Sequence, residues 1–209
     1  MSAAALRFGP IDVVFDDSVL RPRLWTLAQS VWASELVGEG TMLELGCGAG
    51  HIGLAAAALS GARLVQVDRD SAACRWAELN AESNGLGERV EQRCGTADDV
   101  LLAGEKFGVV IADPPYVPSL EVYLYPDDPL DAIDGGPDGL DSVRSFLTGI
   151  TGHVQDDGSV VLQLRGLDQV DQLRAWLDTL AAPPFEVTDT QRFGDVRALA
   201  RLEVRAGAA

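Results

Sequence analysis

Apolar positions along this chain fall into two alternating rhythms from about residue 40 almost to the end. Short runs of β-branched and leucine residues, at 41–45, 63–67, 89–93, 107–112, 159–164, 185–190 and 197–204, predict strands. Between most of them lie stretches with helical spacing, at 51–59, 71–83, 138–153 and 168–180. Ser71 is suited to cap the second of these, and Gly85 to stop it. The 107–112 run is continuously apolar, as expected of a strand buried on both faces. Strands alternating with helices predict an α/β fold: a doubly wound, mostly parallel seven-stranded sheet with helices on both faces. No helix separates the last two strands, so they should form a hairpin that makes one C-terminal strand antiparallel. Before the core lies a segment, 1–39, with a short strand at 13–15 and helical spacing over 23–36; the core itself should span 40–205. The Ala/Gly-rich residues 206–209 are expected to fray.

Composition narrows the class. At 209 residues, 47% hydrophobic and 23% charged, the chain suits one globular domain. No apolar run approaches the roughly 20 residues of a membrane span, and the first residues lack the pattern of a secretory signal. Cys47, Cys74 and Cys94 have no metal-ligand spacing; three cysteines argue against a disulfide framework and for a reducing cytoplasm. A net charge of −16, with Lys106 the only lysine, opposes a nucleic-acid substrate, whose phosphates usually demand a basic stripe. A protein or small-molecule partner fits better.

Two clusters carry chemistry. Leu43-Glu44-Leu45-Gly46-Cys47-Gly48-Ala49-Gly50 is a strand ending in a glycine turn that opens a helix. Glycines there allow a sharp turn and a close ligand approach. A dinucleotide fingerprint would need G-x-G-x-x-G/A, but His51 stands where the last small residue belongs. G-x-G-x-G after Glu44 instead suits a ligand without pyrophosphate, the amino-acid tail of S-adenosylmethionine. Asp68 ends the next strand about 20 residues on, where a carboxylate can accept ribose hydroxyls.

The second cluster, Asp113-Pro114-Pro115-Tyr116, follows a buried strand at its C-terminal end. The prolines fix the backbone and remove two N–H donors. Asp113 and the Pro114 carbonyl can then accept both hydrogens of an NH₂ group, while Tyr116 stacks on a planar acceptor. These four residues are the candidate catalytic set, and the chemistry they suit is methylation of nitrogen.

These motifs resemble the class I S-adenosylmethionine-dependent methyltransferases, and more narrowly the release-factor glutamine methyltransferase branch. Val19-Leu20-Arg21-Pro22-Arg23-Leu24-Trp25-Thr26 is similar to the branch's pre-core motif. Residues 132–141, Ala-Ile-Asp-Gly-Gly-Pro-Asp-Gly-Leu-Asp, resemble its loop after the site. The likeness runs from about residue 12 to 180 and implies a Rossmann-like core. It implies a cofactor site of Arg23, Thr26, Glu44, Gly46, Cys47, Gly48, Gly50, Asp68, Thr96, Ala97 and Asp113, with either Thr96 or Asp98 facing adenine. The implied acceptor is an amide or amino nitrogen of a protein, such as a release-factor glutamine, or of a small metabolite. Two departures stand out. Asp113 replaces the family's Asn, as in enzymes that methylate base amino groups, and only about 40 residues precede the core. A nucleic-acid base methyltransferase and a non-catalytic methyltransferase-like partner subunit are the rival readings.

Other features point elsewhere. The aspartates at 127–141 do not fit a calcium loop and read as a solvated lid. His51 and His153 lack a third ligand. Trp25, Trp32, Trp76 and Trp176 read as helix-to-sheet packing, with Trp25 also a candidate to touch cofactor or acceptor.

Overall fold

The computed structural model describes residues 3–194 and 197–205, so residues 206–209, expected to fray, lie outside the described residues. The chain builds a seven-stranded sheet in the order β5-β4-β3-β6-β7-β9-β8. Its strands are β3 (Thr41–Leu45), β4 (Arg63–Asp68), β5 (Val90–Cys94), β6 (Phe107–Ala112), β7 (Val154–Leu164), β8 (Phe185–Arg192) and β9 (Ala198–Val204). Strands β3 to β7 pair in parallel; β9 runs antiparallel to both β7 and β8. The expected Rossmann-like, mostly parallel sheet with one antiparallel C-terminal strand is therefore what forms.

Alternation along each central strand decides the two layers. Met42, Leu64, Val109, Ile111 and Val161 join one buried cluster with α1 (Leu27–Leu36), α2 (His51–Ser60) and α3 (Ser71–Ser83). Their neighbours Leu43, Val65, Val110, Ala112 and Leu162 join the opposite cluster with α4 (Ala97–Val100), α6 (Asp141–Gly149) and α7 (Leu167–Thr179). A period of two thus feeds both faces of a fully covered sheet. The short α5 (Leu130–Ile133) lies in the loop after β6.

The N-terminal segment holds more structure than its sequence pattern indicates. Strand β1 (Ala4–Phe8), unpredicted, pairs antiparallel with β2 (Ile11–Phe15) through a Gly9-Pro10 turn. Phe8, Ile11, Val13 and Phe15 join the cluster beneath α2 and α3. The outer edge of β2 is finished by side chains rather than by a third strand. Asn80 accepts from the Val14 N–H and donates to the Val14 carbonyl, at 2.8 and 2.9 Å. One turn later Asn84 does the same for Asp12, at 2.9 and 2.7 Å. Residues 12 and 14 share one strand face, while 80 and 84 share one helix face. Two carboxamides therefore imitate a neighbouring strand.

Other expectations shift at their boundaries. The helix expected over 138–153 forms only as α6, because Asp138 instead accepts the Leu140 N–H and Gly139 adopts φ +77°. Strand β7 begins at Val154, five residues earlier than its apolar run, because pairing continues to Phe107 through a bulge that polar residues cover. The reading of three unpaired thiols is also corrected. Cys74 and Cys94 are bonded, their Cα atoms 5.9 Å apart, because α3 crosses directly over the end of β5. Cys47 remains a free, buried thiol.

Asn80 makes three buried or partly buried bonds, the third to the Ala49 carbonyl at 2.9 Å. Asn80→Ala should lower unfolding free energy by roughly 3 kcal/mol, since several backbone groups lose their partner while still buried. Urea denaturation measures this; an unchanged midpoint would mean that water takes over the amide's bonds.

Candidate active site

Because β3 to β6 are parallel, their C-terminal ends open on one edge of the sheet. The order reverses at β3, whose neighbours lead away in opposite directions, and α/β sheets bind ligands at such a crevice. The glycine turn leaves β3 there. Gly46, Gly48 and Gly50 all have positive φ, +64°, +53° and +78°. A Cβ on Gly48 would meet nothing within 4 Å, so open space lies against its backbone. At Gly50 a Cβ would press on Gln66 and Ala77, at 2.9 and 3.1 Å, which is how closely α2 meets the sheet and α3. The Gly46 and Cys47 N–H groups donate to the Val67 carbonyl, at 2.8 and 3.2 Å.

Asp68, at the end of β4, accepts from the Gly48 N–H at 2.9 Å and from the Asp70 N–H at 2.9 Å. Burial nevertheless raises its pKa above the usual carboxylate range. Its backbone carbonyl accepts from the Gly95 N–H at 2.9 Å, which joins the glycine turn, the end of β4 and the loop after β5. Beyond Gly95, the Thr96 hydroxyl donates to Asp99 at 2.6 Å, Ala97 at the start of α4 packs against the second buried cluster, and Asp98 is exposed.

Glu44 lies on the other side of the turn. Its Oε1 accepts the Gly53 N–H of α2 at 3.0 Å, and its Oε2 accepts from Gln66 Nε2, which also donates to the Gly50 carbonyl at 3.0 Å. The carboxyl is thus a buckle beneath the turn, and burial pushes its pKa up to about 7. Cys47 is buried beside Gln92, its thiol pKa raised chiefly by burial.

Thr26 is buried and donates to the Arg23 carbonyl at 2.8 Å, with His51 Nε2 3.4 Å away. Burial pushes the His51 pKa down to about 3, so the ring stays neutral against Phe8. The Arg23 guanidinium reaches Asp128 in the acidic loop, tying that loop to the pre-core segment. Trp25 lies under the guanidinium of Arg197, 4.4 Å from its ring centroid.

Asp113 follows β6 at the same edge, and neither its carboxylate nor the Pro114 carbonyl has a hydrogen bond among the described residues. Burial pushes the Asp113 carboxyl up to about 7. The Tyr116 hydroxyl rises well above its usual range, chiefly by burial and also through the nearby Asp113 charge. The loop is held from outside. The Val117 N–H donates to the Ile133 carbonyl at 2.9 Å, and the Gly135 N–H returns to Val117 at 2.8 Å. A Cβ on Gly135 would strike the Pro115 carbonyl at 2.7 Å, and one on Gly139 would collide with the Tyr116 carbonyl. Residues 134–139 thus need glycine because the Pro-Pro-Tyr backbone lies directly against them.

The structure gathers Gly46, Gly48, Asp68 and Asp113 at one sheet edge. It places Glu44 behind the turn and Arg23 on the acidic loop. Sequence reasoning missed several buried amides that support the site. Gln29 of α1 donates to the Ala112 carbonyl, just before Asp113, and to the Val161 carbonyl, both at 2.9 Å. Gln66, Asn80 and Gln169 act similarly elsewhere. The only sequence signal was an Asn or Gln on an otherwise apolar face.

A family model described as methyltransferase small domain matches residues 27–124. A release factor glutamine methyltransferase of Gloeobacter violaceus is 39% identical over 129 residues, covering 59% of this chain and 45% of that protein. Another, from Xylella fastidiosa, is 32% identical over 180 residues, covering 82% and 64%. The chain therefore spans about half to two thirds of the length of these two curated relatives. The crystal structure of a ribosomal protein L11 methylase from Lactobacillus delbrueckii subsp. bulgaricus shares the fold, with a TM-score of 0.65 and 17% identity, over 91% of this chain and 84% of that one. Residues 27–124 thus match the methyltransferase small domain family, and the chain is similar to release factor glutamine methyltransferases.

Residues of this chain fit S-adenosylmethionine: open space over Gly48 admits a ligand to the backbone, and Asp68 offers a partly buried acceptor beside it. The Glu44 buckle has its own signature. Its carboxyl binds a proton more tightly folded, near pH 7, than unfolded, near 4.5. Stability must therefore fall as pH rises between those values, by on the order of 3 kcal/mol from this group. Glu44→Gln keeps the shape and one of the two acceptor oxygens and removes the titration, so its denaturation midpoints across pH 4.5–7.5 should lose that part of the slope. Parallel pH dependences for the two proteins would place the titration elsewhere.

Proposed function

We propose that this protein methylates a planar nitrogen, an amide or amino group of a protein such as a release-factor glutamine, or of a small metabolite. The observation that carries the reading is a pair of acceptors without a hydrogen-bond partner among the described residues, the Asp113 carboxylate and the Pro114 carbonyl, at the sheet edge beside the glycine turn. Bound S-adenosylmethionine supplies a methyl group on an electrophilic sulfonium. Gly48 would admit the cofactor to the backbone of the turn that Gly46 and Gly50 shape, Asp68 would accept from its ribose hydroxyls, and Thr96, Ala97 and Asp98 would border the adenine. Arg23 and Thr26 shape the near wall, while Glu44 and Cys47 support the turn from behind.

Asp113 and Pro114 take the two N–H hydrogens of the acceptor and so turn its lone pair toward the methyl group. Pro115 keeps the loop rigid, and Tyr116 stacks on the acceptor plane. The N–C bond would form as the methyl–sulfur bond breaks, the sulfur keeping that electron pair and leaving as a neutral thioether; the nitrogen would become cationic and its proton would pass to Asp113, whose affinity near pH 7 suits transient acceptance. Alignment supplies most of the rate, because the methyl group arrives already activated. The names of the curated relatives favour a protein glutamine as acceptor. The Asp at 113 favours an exocyclic base amino group as the second reading, which the −16 charge opposes. No described helix is long and apolar enough to cross a membrane.

Asp68→Ala should weaken S-adenosylmethionine binding by about 1.5–3 kcal/mol, the scale of hydrogen bonds to a charged group. Calorimetry showing unaltered affinity removes Asp68 from the site. Asp113→Ala should slow turnover on the order of 10²-fold with the cofactor still bound. Wild-type kcat/KM should rise with pH through about 7 as Asp113 ionises, and Asp113→Asn should flatten that rise. Labelled cofactor incubated with extract from cells lacking the protein, then separated into protein, RNA and metabolite fractions, tests the acceptor class. Label in RNA alone, with steep salt dependence, would reverse the ranking.

A further inference from the structure

Gln169 lies in the first turn of α7 and is 5% exposed. Every polar atom of its carboxamide is used. Oε1 accepts the Arg165 N–H at 2.9 Å, while Nε2 donates to the Tyr116 carbonyl at 2.8 Å and the Asp138 carbonyl at 3.3 Å. One side chain therefore joins three segments: the end of β7, the loop after β6 and the 134–139 loop.

We propose that Gln169 is a positioning residue for the acceptor site, holding the Tyr116 end of the Asp113–Tyr116 loop so that the Asp113 carboxylate and the Pro114 carbonyl keep their aim. The proposal rests on the function given above. Pro114 and Pro115 have fixed φ and no N–H, so residues 113–116 behave as a short stiff rod. One end of that rod is fixed by β6, with Gln29 bound to the Ala112 carbonyl. The other end is Tyr116, whose carbonyl receives no hydrogen bond from another described residue. Without Gln169 that end would be held only through the neighbouring Val117, by its bonds to Ile133 and Gly135, and a misplacement of about 1 Å at a reacting group costs on the order of 10²-fold in rate. Gly139 gives the same contact its second half. Its missing Cβ lets the backbone of the 134–139 loop close onto Tyr116 and Gln169 together. An apolar side chain of similar length would fill the space without supplying either hydrogen, so packing alone does not perform the task.

Two variants separate holding from filling. Gln169→Met keeps the volume and removes the donors; Gln169→Glu keeps the shape and sets an acceptor against two carbonyls. In both, affinity for S-adenosylhomocysteine and the KM for S-adenosylmethionine should match wild type, while kcat with extract from cells lacking the protein falls at least tenfold. Amide hydrogen exchange, which needs no acceptor, should quicken at least tenfold at Val117, Ser119 and Gly135 and stay unchanged in β3 and β6. Wild-type turnover in Gln169→Met, or unchanged exchange at those three amides, overturns the proposal. So does an equal rise in exchange across the whole sheet, which marks a merely structural residue. If the wild-type protein labels no acceptor, the proposed function fails instead, and the exchange result alone decides whether Gln169 holds the loop.

Discussion

A parallel strand that ends inside a covered sheet leaves its last carbonyls and the following N–H groups without ladder partners, in a place where water is scarce. Each such group must find a donor or acceptor or cost free energy comparable to a lost hydrogen bond. Four strands end together here, so the debt falls on one edge of the molecule. The glycine turn is one solution, folding the Gly46 and Cys47 N–H groups back onto Val67. Side-chain amides are the other. Gln29 meets the Ala112 carbonyl, Gln66 the Gly50 carbonyl, Asn80 the Ala49 carbonyl and Gln169 the Tyr116 carbonyl. Each comes from a different element, and together they fix the glycine turn and the loop in which Asp113 stands. What remains unpaired is then a selected set rather than an accident.

The acidic groups at this edge divide by the same logic. Glu44 has both oxygens engaged by the protein, and its raised pKa reflects burial under the turn. Asp113 has its raised pKa from burial, with no hydrogen-bond partner among the described residues to stabilise the charge. A buried carboxyl with full partners is a structural buckle, whereas one without partners stores an unmet demand for a donor. Asp68 is intermediate, accepting two N–H groups while keeping lone-pair capacity for a ligand hydroxyl. Three carboxyls on neighbouring strands thus acquire distinct tasks from their surroundings, not from their residue type.

The sheet was legible because its central strands are apolar on both faces, and the site because a glycine run and a proline pair each have few other uses. Strand β1 escaped because Ala4–Phe8 is exposed on most positions and gains order only by pairing with β2. Helix α6 was overextended because Asp138 and Gly139 read as helical in pattern while their side-chain and backbone geometry make a turn. The Cys74–Cys94 bond was hidden because the crossing of α3 over β5, not sequence spacing, brings the two together. The supporting amides were illegible for a related reason. A buried Gln and an exposed Gln look alike until the carbonyl it must satisfy is known, and those carbonyls lie 53 residues away in the pairing of Gln169 with Tyr116.

The same edge explains how an acid-rich protein can host a cationic methyl donor without a fixed internal counter-charge. In the proposed reaction the cation carries the field that the site lacks. A positive charge near a carboxyl favours its ionised form, so Asp113, poised near neutrality by burial, becomes charged when the sulfonium is present. Burial penalises the charge only while no cation stands beside it. The acceptor nitrogen would then meet a fully ionised Asp113 at the moment the methyl group is within reach. An arginine paired to Asp113 would have kept it ionised throughout, but would also have occupied the lone pairs that the acceptor needs. The nearby guanidinium of Arg23 is instead committed to Asp128, and that of Arg197 to the face of Trp25. The protein keeps its cations off the one carboxylate that has to remain open.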